Sequence, residues 1–166
     1  MTKFHRRALI GGAMLAGSAA AAQTRIVPLA DLRKEADTAC LYHCDFGDHA
    51  RFAQMLNNLG NHYSAYGADP FAVQLAIVTH SAGVKFFMET LEGTPWKDEV
   101  IGPDVLARVA GLAKNGLKVL LCDITFERLK LDRAKARKDG FISFVPSGVA
   151  AVAALQAKGF AYLKVG

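Results

Sequence analysis

Cysteine, long apolar runs and net charge are all scarce in this sequence, and each shortage excludes a class of protein. The 166 residues include three cysteines, too few for the disulfide framework of a small secreted scaffold. The apolar segment at 8–17 is too short to span a bilayer, so we expect no stable membrane insertion. The sequence has no internal repeat or low-complexity linker, and its length fits one domain with a sizeable core.

The first 22 residues have the layout of a signal peptide. Positive charges precede the apolar segment, and Ala20-Ala21-Ala22 supplies the small residues that a signal peptidase accepts. The Arg6-Arg7 pair resembles a twin-arginine export signal, with the general secretory route as the alternative. Both routes lead to the bacterial periplasm or beyond, so we expect cleavage after Ala22 and a periplasmic mature protein.

Without that signal peptide the chain is only mildly basic. Residues 1–22 hold three Lys or Arg residues and no carboxylate, so the formal charge falls from +5 to +2 on cleavage. The remaining basic residues cluster at 128–138, and such a run is more typical of a solvated helix face than of a nucleic-acid patch. We therefore expect no nucleic-acid partner.

After a lead-in segment at 23–38, the chain from 39 to 166 alternates strand and helix patterns. Five apolar runs of strand length predict strands, at 39–45, 71–79, 116–123, 141–145 and 160–165. Helical patterns lie between them, after Asp48 and at 84–91, 105–114, 126–136 and 149–158. Such alternation predicts a single α/β domain, a three-layer α/β/α sandwich around a mostly parallel five-stranded sheet.

Polar or reactive residues follow the four strands that lead into helical connections. These exits are His43-Cys44-Asp45, Thr79-His80-Ser81, Leu121-Cys122-Asp123 and Val145-Pro146-Ser147. Because the carboxyl ends of parallel strands lie at one edge, where open α/β sheets bind ligands, we expect these residues to share a pocket.

Cys122 is the candidate catalytic residue in that pocket. A thiol at the end of a strand lies near the first turn of the next helix, whose dipole favours a thiolate. Two observations oppose this interpretation: cysteines at strand ends are often small packed apolar residues, and the Asp123 carboxylate would disfavour a neighbouring thiolate.

The other two cysteines differ in their expected surroundings. Cys40 lies inside a predicted strand and should be core, and the extended chain places it too far from Cys44 for a disulfide. Cys44 ends its strand as Cys122 does. If the first and third strands are neighbours, a disulfide between Cys44 and Cys122 is geometrically conceivable.

The remaining candidates are two histidines and a serine. His80 is a candidate base or proton donor near the thiol, or a hydrogen-bonded structural histidine. His43 with Cys44 and Asp45 lacks the spacing of a metal motif, so we expect no metal site. Ser147 precedes a helix, where it would act as an N-cap or help to hold an anion through backbone N–H groups.

These residues resemble a known family, the DsrE/DsrF-like small α/β proteins associated with sulfur metabolism. The resemblance covers nearly all of 39–166. Its segments are Tyr42-His43-Cys44-Asp45 with Gly47-Asp48, Val78-Thr79-His80-Ser81-Ala82-Gly83, Val119-Leu120-Leu121-Cys122, Val145-Pro146-Ser147-Gly148-Val149 and the ending 155–164. Two features depart from the family pattern: the export signal, and Cys44 where many relatives have an apolar or small residue.

The resemblance implies a cysteine that accepts sulfur as a persulfide and passes it on. It places that role on Cys122 and implies no cofactor, a homo- or hetero-oligomer, and a sulfur donor or acceptor protein or a small persulfide or polysulfide as partner. His43, Cys44, His80 and Ser147 would line the substrate pocket. A non-catalytic ligand-binding or assembly module, and a thiol–disulfide protein using Cys44 and Cys122, are the alternatives.

Overall fold

The fold is a five-stranded parallel sheet with helices on both faces, as the computed structural model describes it for residues 25–166. The strands are β1 (Thr38–Cys44), β2 (Val73–Thr79), β3 (Lys118–Cys122), β4 (Ile142–Val145) and β5 (Ala161–Lys164). The helices are α1 (His49–Ala65), α2 (Pro103–Ala113), α3 (Asp123–Arg128) and α4 (Gly148–Ala157), with 3-10 helices at Leu29–Asp31, Ser81–Phe87 and Arg133–Lys135. The predicted fold class is confirmed.

The strand order is β4-β3-β2-β1-β5, and every neighbouring pair is parallel. Both faces of the sheet are covered, which is why the strands appear as nearly continuous apolar runs rather than alternating ones. Cys40, Tyr42 and Cys44 of β1 join the core on the α1 face, whereas Ala39 and Leu41 join the core on the α4 face. The parity of a residue along its strand therefore decides which core it enters.

The apolar stripe predicted after Asp48 packs as expected. Asp48 caps α1 by accepting a hydrogen bond from the Arg51 N–H at 2.7 Å. The buried side chains of α1 are Phe52, Met55, Leu56, Leu59 and Tyr63. On the opposite face, α4 leaves β4 at one side of the sheet and leads to β5 at the other. Its first turn is therefore placed at the carboxyl edge, over the inner strands.

Three local predictions need correction. The helix predicted at 84–91 is the 3-10 helix Ser81–Phe87, and the helix predicted at 126–136 ends at Arg128. Lys130 then has a positive φ of 53°, a left-handed turn that no helix continues through. The lead-in, expected to be partly ordered at best, pairs with edge strand β4 at residues 25–27, where Val27 N–H donates to the Phe144 carbonyl at 2.7 Å and Phe144 N–H donates to the Arg25 carbonyl at 3.0 Å.

The predicted signal peptide, 1–22, lies outside the residues that the structure describes. None of the helices within 25–166 is long and apolar enough to cross a membrane.

Candidate functional site

A cavity of about 620 Å³ opens at the carboxyl edge of the sheet, on the α4 face. Three of the predicted site residues, His80, Cys122 and Ser147, line it together. The other lining residues are Ser81, Ala82, Pro95, Trp96, Ile124, Thr125, Arg128, Leu129 and Val149. Residues that are 67 positions apart in sequence, from His80 to Ser147, meet because parallel strands share this edge.

The strand register explains why Cys122 and His80 are neighbours. Thr79 of β2 lies opposite Leu121 of β3, so the residues that follow, His80 and Cys122, are level across the sheet. Both have the parity of the α4 face, since Leu120 belongs to the core under α4 and Cys122 comes two residues later. Cys122 is 4% exposed, at the inner wall of the cavity.

Gly148, the first residue of α4, lets the helix approach both side chains. A Cβ at this position would lie 3.0 Å from the Cβ of Cys122 and 3.0 Å from the Cβ of His80. These two Cβ atoms are therefore separated by no more than twice 3.0 Å. Ser147 caps the same helix, accepting from the Ala150 N–H at 3.3 Å, so the N-cap interpretation of Ser147 is confirmed.

His43, which was predicted to line the pocket, does not line the cavity and lies behind His80. The Nε2 atoms of His80 and His43 are 2.7 Å apart, so one ring donates to the other. His43 Nδ1 is 2.8 Å from the Tyr162 hydroxyl, and His80 Nδ1 is 3.0 Å from the Ser81 hydroxyl. The result is a continuous chain of polar groups from the exposed Tyr162 side chain to the cavity wall.

Burial lowers the pKa of both histidines. The nearby Asp45 carboxylate raises the pKa of each histidine and so opposes the effect of burial. For His43, the charges of His80 and Lys164 lower the pKa further. Near neutral pH the pair is thus in its neutral form, in which an imidazole is able to accept a proton.

The Asp123 carboxylate beside Cys122 is paired with a cation. Arg133 Nε lies 2.5 Å from Asp123 Oδ1, and Arg133 Nη2 donates to Oδ2 at 2.6 Å. Asp123 is 8% exposed, so the pair is shielded on the carboxylate side. The charge expected to disfavour a thiolate at Cys122 is therefore compensated by the Arg133 guanidinium.

Ser81 holds a backbone conformation that its sequence did not suggest. Its φ is 52°, in the left-handed region, which costs a non-glycine residue about 1–3 kcal/mol. Its N–H donates to the Thr125 hydroxyl at 3.1 Å, which ties the end of β2 to α3. His80 and Ser81, on either side of this turn of the backbone, both line the cavity.

Cys44 does not line this cavity, contrary to the prediction. It has the parity of the α1 face, is fully buried, and burial raises the pKa of its thiol to about 12. Strand β2 lies between β1 and β3, so the premise of adjacent first and third strands was wrong. The three cysteines are free and buried. A disulfide between Cys44 and Cys122 would have to cross the sheet, and the thiol–disulfide alternative loses its basis.

Cys40 is core, as predicted, with its Sγ 4.0 Å from His62 Nε2. His43 and Cys44, consecutive in β1, have opposite parity and enter different faces of the sheet. Within residues 25–166, no three His, Cys, Asp or Glu side chains come together as a metal-binding group.

The residues of the far wall of the cavity were not predicted from the sequence. Pro95 and Trp96 come from the loop before α2, and Arg128 comes from the end of α3. Glu99 anchors that loop, because it accepts from the buried Lys85 ammonium and pairs with His49 Nε2 at 2.8 Å. These two hydrogen bonds lower the pKa of the Glu99 carboxyl. The single tryptophan in a loop was the one available signal.

The chain is similar in sequence to one protein family and in fold to a solved structure. The sequence model of the DsrE/DsrF-like family matches residues 46–165. The fold is similar to that of MTH1491, a protein of unknown function from Methanobacterium thermoautotrophicum, with a TM-score of 0.61 and 20% sequence identity. That match covers 77% of this chain and 99% of the archaeal one. No curated protein matches the sequence.

Proposed function

Because the chain belongs to the DsrE/DsrF-like family, we propose that it is a sulfur carrier, in which Cys122 receives sulfane sulfur as a persulfide and passes it on. One observation carries the proposal. Of the three cysteines, Cys122 alone lines the cavity, whereas Cys40 and Cys44 are in the core on the other face of the sheet.

The transfer needs no electron donor or acceptor. The Cys122 thiolate attacks the outer sulfur of a donor R–S–S⁻, a new S–S bond forms at Cys122, and the old S–S bond breaks. The products are the Cys122 persulfide anion and R–S⁻, which leaves as R–SH after taking up the proton that the Cys122 thiol released. An acceptor thiolate removes the sulfur by the same step in the opposite direction.

The polar chain behind the cavity supplies a route for that proton. His80 lines the same cavity as Cys122, and its neutral ring is the proposed acceptor for the proton of the Cys122 thiol once His80 Nδ1 is released from the Ser81 hydroxyl, 3.0 Å away; the proton then passes to the leaving R–S⁻. His43, 2.7 Å from His80, and the Tyr162 hydroxyl extend this route toward solvent. Burial lowers the pKa of both histidines, so at neutral pH each ring is unprotonated and has a nitrogen that is able to accept a proton.

Export, self-association and the exchange partner belong to the same proposal. The mature protein works in the periplasm, assembles as a homo-oligomer, and exchanges sulfur with a protein or a small persulfide or polysulfide. Fractionation of cells expressing the full chain, with its Arg6-Arg7 pair replaced by Lys-Lys in a second strain, tests the export route. Light scattering of the purified protein measures the oligomeric state.

The deciding experiment is mass spectrometry of the reduced full chain after incubation with polysulfide. We expect the addition of one sulfur mass in the wild type and in Cys40→Ala, a control that removes a buried thiol away from the cavity. Cys122→Ser should take up none. Sulfur loading that survives Cys122→Ser, in a protein that still unfolds cooperatively, would contradict the proposal.

A non-covalent binding module is the second candidate function. The observation that favours it is the low exposure of Cys122, 4%, because thiol chemistry requires access as well as a thiolate. Under this alternative a ligand occupies the cavity and Cys122 resists alkylation in the folded protein. Rapid alkylation of Cys122 by iodoacetamide would eliminate it.

A further inference from the structure

The cavity is far larger than the sulfur atom that it would exchange. A volume of about 620 Å³ lies within the range of about 300–1,000 Å³ that small-molecule sites occupy. A water-sized group takes about 30 Å³, so a single sulfur would leave most of the space open. The remaining space therefore fits the body of the molecule that carries the sulfur.

The walls of that space are mainly apolar. Trp96 and Pro95 form one side, and Ile124, Leu129 and Val149 contribute to the others. The last three remain 37%, 38% and 65% exposed and border the same cavity, and apolar side chains grouped in this way, rather than scattered singly, are typical of a binding site. An aromatic or branched aliphatic group would cover them.

Arg128 adds one positive charge to this apolar lining. Within residues 25–166 its guanidinium has no carboxylate partner, although in the same basic run Arg133 pairs with Asp123 and Glu127 and Arg137 pairs with Asp139. Ordinary surface arginines gain little from such a pair, but an arginine at the rim of an apolar cavity is well placed to bind the anionic end of a ligand.

We propose that the cavity binds a small organic anion with an apolar body, whose acidic group pairs with Arg128 while its body packs against Trp96, Ile124 and Val149. This inference rests on the proposed function, and it makes the sulfur partner a low-molecular-weight organic persulfide; polysulfide in the loading experiment is a reagent that supplies the same sulfane sulfur. The reactive sulfur then lies at the inner wall, beside Cys122.

A pair of fluorescent probes tests the inference without thiol chemistry. Anilinonaphthalene sulfonate has an aromatic body and one anionic group, and N-phenyl-1-naphthylamine has the same body without the charge. We expect saturable binding of both to the full chain at one site, with the sulfonate bound about 10-fold or more tightly than the neutral probe, the ratio typical of one charge-assisted hydrogen bond.

Variants separate the contributions of charge and apolar surface. Arg128→Ala should remove the preference for the sulfonate and leave binding of the neutral probe nearly unchanged. Val149→Glu, at an exposed position, should weaken the sulfonate most. Lys138→Ala, a cation of the same basic run that does not line the cavity, is the matched control and should change neither affinity.

The outcomes for the two proposals are distinct. The probes should bind Cys122→Ser as they bind the wild type. If sulfur loading fails in the wild type while the probes still bind, the binding of a small organic anion stands and its role as a sulfur donor is contradicted. Sulfur loading without saturable probe binding, or an equal affinity for the two probes, would overturn the inference and leave the sulfur-carrier proposal intact. A urea titration shows whether the probes bind the folded protein. Probe binding that occurs only when the protein is partly unfolded would also overturn the inference.

Discussion

Replacing Gly148 by alanine should disturb the cavity at its most crowded contact. The new Cβ would lie 3.0 Å from the Cβ atoms of Cys122 and His80 and 3.2 Å from the His80 ring. Ordinary carbon–carbon contacts are about 3.5–4.0 Å, so either α4 must move away or the two side chains must give way by several tenths of an ångström. Both changes widen or distort the arrangement of Cys122 and His80.

The expected cost follows from two opposing effects. Overpacking of this kind destabilises a protein by about 1–3 kcal/mol. Replacing glycine by alanine within a helix stabilises the folded protein by about 0.5–1 kcal/mol, because the unfolded chain has less backbone freedom. Gly60→Ala, in α1, is the matched control because its Cβ position has no atom within 4 Å other than those of its chain neighbours and the backbone of its own helix. That variant should show the stabilising effect alone, so the two free energies of unfolding should differ by about 1–3 kcal/mol.

Urea unfolding and the rate of sulfur loading by mass spectrometry measure the two consequences. Gly148→Ala should load more slowly by about 10-fold, since misplacement by a full ångström costs about 100-fold and the shift here is smaller. Gly60→Ala should load at the wild-type rate. Equal stability and equal loading for the two variants would refute the close approach of α4 to Cys122 and His80.

Three further predictions concern the histidine pair, Ser147 and Cys44. Because burial lowers the pKa of His43 and His80, the unfolded chain binds more protons below about pH 6.5, so the free energy of unfolding should fall as the pH drops through that value. The loss should shrink in a His43→Gln variant, and an unchanged slope would contradict it. Ser147→Ala should cost about 0.5–2 kcal/mol in urea unfolding, with Ser147→Asn restoring most of it. Cys44 should remain unalkylated for as long as the protein is folded, and alkylation before unfolding would argue against its burial.

Much of the architecture follows from local patterns in the chain. Apolar runs of strand length alternating with helical stripes were sufficient for the element order, since burial on both faces requires such runs in a parallel sheet. The meeting of Cys122, His80 and Ser147 followed as well, because strand exits in a parallel sheet lie at one edge. The capping role of Ser147 depends only on its position before a helix.

Tertiary structure decided what local patterns do not contain. Strand order put β2 between β1 and β3, and residue parity put Cys44 into the core on the opposite face. Cys44 ends its strand as Cys122 does, but it does not line the cavity. Pro95, Trp96 and Arg128 reach the cavity from a loop and a helix end whose paths depend on long-range contacts.

By itself, then, the sequence determined the elements, the class of fold and the edge at which the reactive residues gather, because these depend on short-range periodicity. Only the tertiary structure decided which side of the sheet each residue enters, that His43 stands behind His80, and that Gly148 brings α4 against Cys122. Those relations depend on register and on packing between segments far apart in the chain, which periodicity does not encode.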